Sequence, residues 1–498
     1  MPGFFMAFLL VAVGAAVFKP VVVGTVAKVT DESNSATGFG IFYMMVNVGG
    51  FVGPIVAGIV RGQGWHWVFV ACSAWAVVNL VLVLTLYREP PRPAADRRRL
   101  SQVLENLVEV LGNLRFFISV GAVLVGLMVG GMLDSLRVSW FSWKWCGLLL
   151  LAWVVANLLY DRLLPAGEAP PGRRRNPLLR RMRCGNWRFA LFLLIMSGFW
   201  TAFNQIFYTM PEYIRDFVDT RPLIRLAESL FGPGAAEDPQ RGIAARMATI
   251  NQDERGLIVG QLETLLAAAR AGTLDEPALA AACRRLLNSK VRISPSRLRE
   301  LLQAPDAQLE HLTNRVMVEG RQVNPEFIIN IDAGAIVLFQ VLISFLMGRF
   351  HRFTTMILGM LVAAIGIGLS ALAGGAGMVG SGALVWIVAG GILIFAFGEM
   401  MASPTSQEYV GRVAPADKKA LYMGYYFVAV ALGNLFGGIL SGQLYGKLAR
   451  DLQRPDLMWA AFGGLMVVTA VLFLLYDRLA LPRRAAYELT PDSTRPGG

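Results

Sequence analysis

Residues Phe395–Tyr409 read FAFGEMMASPTSQEY and close an apolar run that begins at Ala383. With its continuation, the run is long enough to cross a bilayer, which takes about 20 apolar residues in a helix. Glu399 lies inside it, and Ser403 and Pro404 follow. An acid at bilayer depth is costly and is retained mainly where it faces a bundle interior, a water-filled cavity or a partner charge. Glu399 is therefore a candidate functional residue, and the alternative is that it reaches water at the cytoplasmic end of its helix.

The composition is that of a polytopic membrane protein. The chain has 498 residues, of which 55% are hydrophobic and 16% charged, whereas soluble domains are typically about 25% charged. Long apolar runs recur, and the alternating pattern of a membrane barrel is missing, so we expect an all-α helical bundle in the lipid bilayer. The net charge of +12 does not indicate a nucleic-acid partner, because the arginine clusters lie between apolar runs, where they act as topology signals.

Several kinds of chemistry are not supported by the sequence. The four cysteines are scattered without metal-site spacing, so neither a disulfide framework nor a metal centre is predicted. The phosphate-loop, zinc-protease and nucleophile-elbow motifs do not occur. We therefore expect no cofactor and no enzymatic activity, and ATP-driven transport by this chain alone is disfavoured.

The apolar runs predict eleven spans and six segments of the chain. The segments are a partial N-terminal transmembrane half of three spans (1–87), basic linkers with an inserted transmembrane hairpin (88–188), the first span of a C-terminal half (189–211), an extracytoplasmic helical subdomain (212–324), five further spans (325–478) and a cytoplasmic tail (479–498). Within the linkers, Leu100–Asn113 is predicted to be an amphipathic surface helix. Orientation follows from the arginine-rich linkers, which are expected on the cytoplasmic side.

Two N-terminal spans carry polar side chains at bilayer depth. Lys19 and Pro20 lie deep in the first span, where proline kinks the helix and frees carbonyl groups. Lys19 either faces a cavity or reaches the nearer interface. In the second span, Tyr43 and Asn47 are four residues apart and share one helical face. That face either lines a polar cavity or bonds to a neighbouring helix.

The C-terminal spans carry similar side chains. Trp200, Asn204 and Tyr208 are spaced by four residues and form a polar and aromatic stripe beside Gln205. Stripes of this kind line solute paths, and they also occur at ordinary helix contacts. Asp332 is either a cavity group or an acid near the outer interface, and its position about two turns into its span favours the interface.

Three stretches resemble a known family. GAAVFKP at 14–20 resembles its Lys-Pro fourth span, and GFGIFYMMVNVGGFVGP at 38–54 is similar to its FYxxxNxG signature on the fifth. GEMMASPTSQEYVGRVAP at 398–415, with MGYYFVAVALGNLFGG at 423–438, resembles its tenth and eleventh spans. The family is the major facilitator superfamily, and the closest group is that of the proton-coupled oligopeptide transporters. The inserted hairpin also resembles the pair of extra helices in bacterial members, which implies a bacterial cytoplasmic membrane.

The resemblance implies uptake of small peptides or similar zwitterions together with protons, by alternating access. Lys19 would be the charged group of the N-terminal half, and Glu399, with Ser403 beside it, would bind the substrate's amino group. The other side chains would line the cavity. The implied substrate-binding residues are Lys19, Tyr43, Asn47, Trp200, Asn204, Gln205, Glu399, Ser403 and Tyr426.

The chain also departs from the family. It lacks a counterpart of the first three spans, with their ExxER motif, and Tyr426 stands where the family has tryptophan. We therefore expect an N-terminally truncated gene product or a fragment. One alternative is a non-transporting sensor or scaffold built around 212–324, motivated by the missing spans and the added subdomain. A membrane enzyme acting on lipid-linked substrates ranks last, because the external region shows no acid–base pair or metal cluster.

Overall fold

The structure is a computed structural model that describes most of the chain. The described residues are 2–31, 34–61, 65–88, 112–135, 138–164, 181–182, 186–232, 247–304, 308–372, 382–415 and 418–480. Within these ranges every regular element is helical, apart from an isolated β-bridge between Val291 and Arg321. The predicted all-α class is confirmed.

Five long helices form the first part of the structure. They are α1 (Pro2–Val29), α2 (Ser35–Arg61), α3 (Trp65–Leu86), α4 (Leu114–Ser135) and α5 (Trp143–Leu163). The helices α4 and α5 pack as a pair that an ion pair joins at one end. The Arg115 guanidinium lies 2.6 Å from Asp161, and the same carboxylate accepts a hydrogen bond from the Met182 backbone.

The remaining helices alternate between long apolar and shorter polar elements. They are α6 (Trp187–Phe203), α7 (Gln205–Tyr208), α8 (Met210–Phe217), α9 (Arg221–Phe231), α10 (Gln252–Arg270), α11 (Glu276–Asn288), α12 (Pro295–Leu302), α13 (Leu309–Gly320), α14 (Pro325–Met347), α15 (Arg352–Leu372), α16 (Leu384–Val413), α17 (Lys419–Leu444) and α18 (Pro455–Leu479). A π-helical turn at Tyr445–Asp451 continues α17. Interruptions at Asn204 and Thr209 divide the apolar segment that contains α6, α7 and α8.

Eleven segments of the described chain are long and apolar enough to cross a membrane, as predicted. Their burial differs: none of the apolar stretch of α3 is buried, but 78% of that in Trp187–Phe217 is. The main hydrophobic core therefore lies among the C-terminal helices. Nearly all of the predicted surface helix Leu100–Asn113 falls outside the described residues, as does most of the predicted tail.

The N-terminal helices meet the C-terminal helices mainly through α2 and α14. A side chain at Gly40 would lie 2.2 Å from the Ser344 hydroxyl oxygen, and one at Gly334 would lie 3.1 Å from the Phe51 ring. The Asn330 amide also donates a hydrogen bond of 3.0 Å to the backbone carbonyl of Phe51. Small residues of this kind let helices in a membrane approach closely. The contact brings Tyr43, about two turns into α2, to the C-terminal helices.

Helices α15 and α16 approach even more closely, backbone against backbone. A methyl group on Gly398 would lie 2.4 Å from the Gly359 carbonyl oxygen and from the Ala363 nitrogen. One on Gly366 would lie 2.5 Å from the Phe395 nitrogen. Only glycine fits at these positions, because the neighbouring atoms are backbone and cannot rotate away. The contact fixes α16, the helix that carries Glu399, against α15.

The helices α10–α13 enclose a hydrophobic core of their own, separate from the main one. Its buried members are Ile258, Leu262, Leu265, Leu266, Leu279, Ala282, Cys283, Leu286, Val291, Leu298, Leu301, Leu302, Leu312 and Val316. Three of the helices begin with side-chain caps, at Asn251, Asp275 and Ser294. Asn251 and Glu254 form a complete capping box, in which each side chain bonds the other residue's backbone nitrogen.

The close contact between α15 and α16 gives a stability prediction. Gly398→Ala is expected to lower the free energy of unfolding by about 1–3 kcal/mol, the usual cost of overpacking. This loss outweighs the gain of about 1 kcal/mol that alanine brings to a helix. Thermal unfolding of the purified protein in detergent measures the change.

The matched control for this prediction is Gly390→Ala on the same helix. A methyl group there meets nothing within 4 Å, so its unfolding temperature should stay the same or rise. Equal unfolding temperatures for the two variants would contradict the backbone contact.

Candidate functional site

Glu399 lies at the centre of the candidate site. It belongs to α16, which continues through Pro404 to Val413 as one helix, and it is only 2% exposed. The Tyr43 hydroxyl donates a hydrogen bond to its Oε1 atom. Because Tyr43 belongs to α2, this bond joins the N-terminal helices to the C-terminal helices inside the membrane-spanning part of the protein.

Asp332 is the second acid of the site, and the structure corrects the preference for the outer interface. The residue is 2% exposed, and its carboxyl group lies within interaction range of Glu399. Although Asp332 is only two turns from the start of α14, it is on the face that packs against α2 and α16. The position of Asp332 near the start of α14 predicted contact with water. Its side chain is buried instead, because it lies on the helix face that packs against other helices.

Several buried polar atoms at the site have no hydrogen-bond partner within the described part of the chain. Among them are Asp332 Oδ1, Glu399 Oε2, Ser403 Oγ and Gln340 Oε1. The Gln340 amide nitrogen is partnered, by Ser344 Oγ at 2.9 Å and by a backbone carbonyl at 3.2 Å. Buried polar groups are normally satisfied. Orphaned oxygens grouped around two acids indicate a place where a proton, water or a polar ligand binds.

Two residues predicted for the site have other surroundings. Lys19 is exposed on α1, and no ion pair joins it to Glu399 among the described residues. The Asn47 amide donates a hydrogen bond of 3.1 Å to the backbone carbonyl of Tyr43, one turn earlier on α2. The structure therefore brings Tyr43, Glu399 and Ser403 together and leaves Lys19 apart, so a binding role for Lys19 and Asn47 remains a prediction.

The predicted stripe on the broken α6 segment contacts α17. The Asn204 amide donates to Asn434 Oδ1 at 2.8 Å, and the Tyr208 hydroxyl donates to the same atom at 3.2 Å. The Gln205 amide donates to the backbone carbonyls of Thr201 and Gly437, at 2.9 Å and 3.1 Å. These hydrogen bonds hold two helices together. In this conformation the stripe therefore has the surroundings of an ordinary helix contact, which was the second alternative for it.

Trp200 and Tyr426 lie deeper in the same interface. Their rings meet edge to face at 6.5 Å, and both side chains are buried. The Tyr426 hydroxyl is 2.7 Å from Ser406 Oγ, which in turn donates to the Ser403 carbonyl at 2.7 Å. Tyr426 is thus connected to the turn of α16 that follows Glu399.

A second buried acid on α16, Glu408, forms an ionic cluster that the sequence reasoning missed. Glu408 is 3% exposed and lies 2.8 Å from Arg352 and 3.1 Å from Arg412. The Ser35 hydroxyl donates to it at 2.6 Å. The cluster therefore ties the start of α2 to α15 and α16, and a cavity of about 190 Å³ adjoins it, bordered also by Lys419.

Sequence signals exist for the missed residues Gln340, Ser344 and Glu408. On α14, Asp332, Gln340 and Ser344 are separated by eight and four residues, which places them on one helical face. Glu408 stands inside the quoted stretch, with Arg412 one turn later, a spacing that allows an ion pair on one helix. The pairing with Ser35, 373 positions earlier in the chain, has no local signal.

The chain is similar to several curated transporters. The peptide transporter YePEPT of Yersinia enterocolitica is 27% identical over 232 residues, which are 43% of this chain and 41% of that protein. The MFS-type efflux pump MMF1 of Pseudozyma antarctica is 27% identical over 187 residues, 37% of this chain and 32% of the pump. The MMF1 pump of Mycosarcoma maydis is 24% identical over 191 residues, 37% of this chain and 28% of the pump. The chain thus spans less than half the length of these relatives.

The family model gives a broader match. The model of the Major Facilitator Superfamily matches residues 1–123 and 326–496, which together are more than half of the chain. The matched ranges include α1–α3 and α14–α18, the helices that supply Tyr43, Asp332 and Glu399. The family consists of transporters and not of enzymes. With its helical fold and eleven membrane-length apolar segments, this integral membrane protein belongs to the Major Facilitator Superfamily.

Proposed function

We propose that this protein is a secondary active transporter that takes up small peptides or similar zwitterionic solutes together with protons. The observation that carries the proposal is Glu399, an acid buried inside a spanning helix and hydrogen-bonded to Tyr43 from the N-terminal helices. The similarity to a peptide transporter supports the substrate class. We further propose that the closest group is the proton-coupled oligopeptide transporters, with α1–α3 in the places of its fourth to sixth spans, in a bacterial cytoplasmic membrane.

The charges explain why a zwitterion suits the site. A buried carboxylate attracts an ammonium group strongly, because the low dielectric constant inside the bundle weakens Coulomb interactions less than water does. The substrate's own carboxylate then needs a cation from the other half of the bundle. Lys19 is our candidate for that cation, and it would have to turn from its exposed position on α1 toward the cavity.

Alternating access requires contacts between the two groups of helices that can open and close. The Tyr43–Glu399 hydrogen bond lies about two turns into α2, and the Ser35–Glu408 cluster lies at its first residue. The Lys419 ammonium on α17 adds a hydrogen bond of 2.7 Å to the Ala27 carbonyl on α1. We propose that the Glu408 cluster closes the cytoplasmic side, and that it opens when the two groups of helices rock apart.

A second candidate function is that of a sensor or scaffold. It is favoured by the hydrophobic core of α10–α13, which is separate from the main core. Expression of residues 247–324 alone tests this candidate. A folded module that binds a ligand, together with a membrane part that moves no solute, would favour the sensor. A module without ligand binding, beside active uptake, would favour the transporter.

The first functional prediction concerns Glu399. In proteoliposomes with an inward proton gradient, Glu399→Gln is expected to reduce dipeptide uptake by tenfold or more. The reason is the loss of a charged hydrogen bond worth about 1.5–3 kcal/mol, since about 1.4 kcal/mol corresponds to a factor of ten. Radiolabelled dipeptide uptake measures the change.

The control for Glu399→Gln is Glu310→Gln, the same substitution on the exposed surface of α13, which should leave uptake unchanged. Unchanged uptake in Glu399→Gln would refute the site assignment. An absence of dipeptide uptake by the unmodified protein would refute the substrate class.

The second functional prediction concerns Glu408. Glu408→Gln removes the carboxylate that lies 2.8 Å from Arg352 and 3.1 Å from Arg412, and with it the charge that ties these residues to α2. We expect α2 to separate more readily from α16 at this end. In a cysteine-free background, a cysteine in place of Ala36 reports the change through its rate of maleimide labelling, which should rise several-fold.

Glu228→Gln is the control for the labelling experiment, because it removes a partly exposed ion pair with Arg321 far from this contact. It should leave the labelling rate of the cysteine at position 36 unchanged. If Glu408→Gln also leaves that rate unchanged, the cluster does not hold the two groups of helices together.

A further inference from the structure

The two buried acids of α16 have opposite surroundings. Glu408 has two guanidinium groups within 3.1 Å. Glu399 has no Lys, Arg or His within ion-pair distance among the residues that the structure describes, and the groups that interact with it are Asp332 and Tyr43. The charge of Glu408 is therefore balanced by its neighbours, but the charge of Glu399 meets a second acid instead of a cation.

Two negative charges at this position repel each other strongly. The low dielectric constant inside the bundle screens this repulsion much less than water does. A proton placed between two neighbouring carboxyl groups removes this repulsion. It also supplies a donor for the orphaned oxygens, Asp332 Oδ1 and Glu399 Oε2.

We propose that Asp332 and Glu399 form a proton-binding site in which the two carboxyl groups share one proton. The inference rests on the proposed function and deepens it, because it names the groups that carry the coupled proton. Both acids come from the C-terminal helices α14 and α16. The site therefore needs no carboxyl group from the N-terminal helices, and α2 contributes only the Tyr43 hydroxyl.

Within the described ranges, the neighbouring helices supply no other charge to the pair. On α15, the half-buried Arg352 is paired with Glu408. On α17, the Tyr426 hydroxyl is engaged by Ser406. On α1, Lys19 is exposed. Tyr43 from α2 is thus the titratable group that faces the pair from outside α14 and α16.

The net charge of the pair links proton binding to substrate binding. With one proton the pair carries a charge of −1, which matches a single ammonium group. Without the proton it carries −2, which its described surroundings leave unbalanced. The hydrogen bond from Tyr43 engages Glu399 Oε1, and Oε2 has no hydrogen-bond partner within the described part of the chain. Protonation of the pair therefore prepares the site for one amine.

Infrared spectroscopy of the purified full chain in lipid nanodiscs tests the shared proton without any transport. The carbonyl stretch of protonated carboxylic acids is followed as the pH is raised. We expect the band to persist to a pH at least about one unit higher in the unmodified protein than in Asp332→Asn or Glu399→Gln, because each variant removes the like charge that holds the proton. Glu310→Gln, which removes an exposed acid of α13, is the control and should leave the band unchanged.

Tyr43→Phe is the second variant, and it keeps both acids. It removes a hydrogen bond to the carboxylate, so the band should persist to a still higher pH. A band with the same pH dependence in the unmodified protein and in Asp332→Asn would overturn the shared proton, as would a band that disappears at a lower pH in Tyr43→Phe. If the carbonyl band shows the expected pH shifts in a protein that transports no dipeptide, the shared proton is supported and only the proposed transport is refuted.

Discussion

The cost of placing a carboxyl group inside the bilayer is the constraint on which the rest of this structure depends. Removing an ionised carboxylate from water costs several kcal/mol even after the protein has relaxed. The protein meets this cost in two ways on one helix. At Glu408 it supplies two arginines and a serine, and at Glu399 it supplies a tyrosine hydroxyl and a second acid. The first arrangement pairs the carboxylate with cations, and the second leaves Glu399 Oε2 without a hydrogen-bond partner among the described residues.

This difference assigns separate roles to the two acids. A saturated cluster such as that of Glu408 suits a contact that holds helices together, because each polar group already has its partner. An unsaturated one such as that of Glu399 suits binding, because orphaned oxygens gain energy when a proton or a donor arrives. Both acids contact α2, at Ser35 and Tyr43, so the saturated and the unsaturated cluster share one partner helix.

Much of the fold could be predicted from the sequence, because the membrane forces each apolar run to satisfy its backbone hydrogen bonds as a helix. Glu399 and Tyr43 could also be predicted, since each stands out within such a run. The burial of Asp332 could not, because it depends on which face of α14 meets α2. The partner of Glu408 could not either, because Ser35 is 373 positions away and only the packed bundle brings the two together.

The glycine contact between α15 and α16 has a consequence for movement. Backbones that touch at Gly359, Gly366 and Gly398 leave no side-chain layer in which one helix could slide past the other. The two helices must then move together as one rigid unit, in which Glu399 and Glu408 are fixed two and a half turns apart. If this unit tilts so that Glu408 separates from Ser35, Glu399 also shifts relative to Tyr43. Release of the Glu408 contact is thereby linked to a change in the surroundings of Glu399.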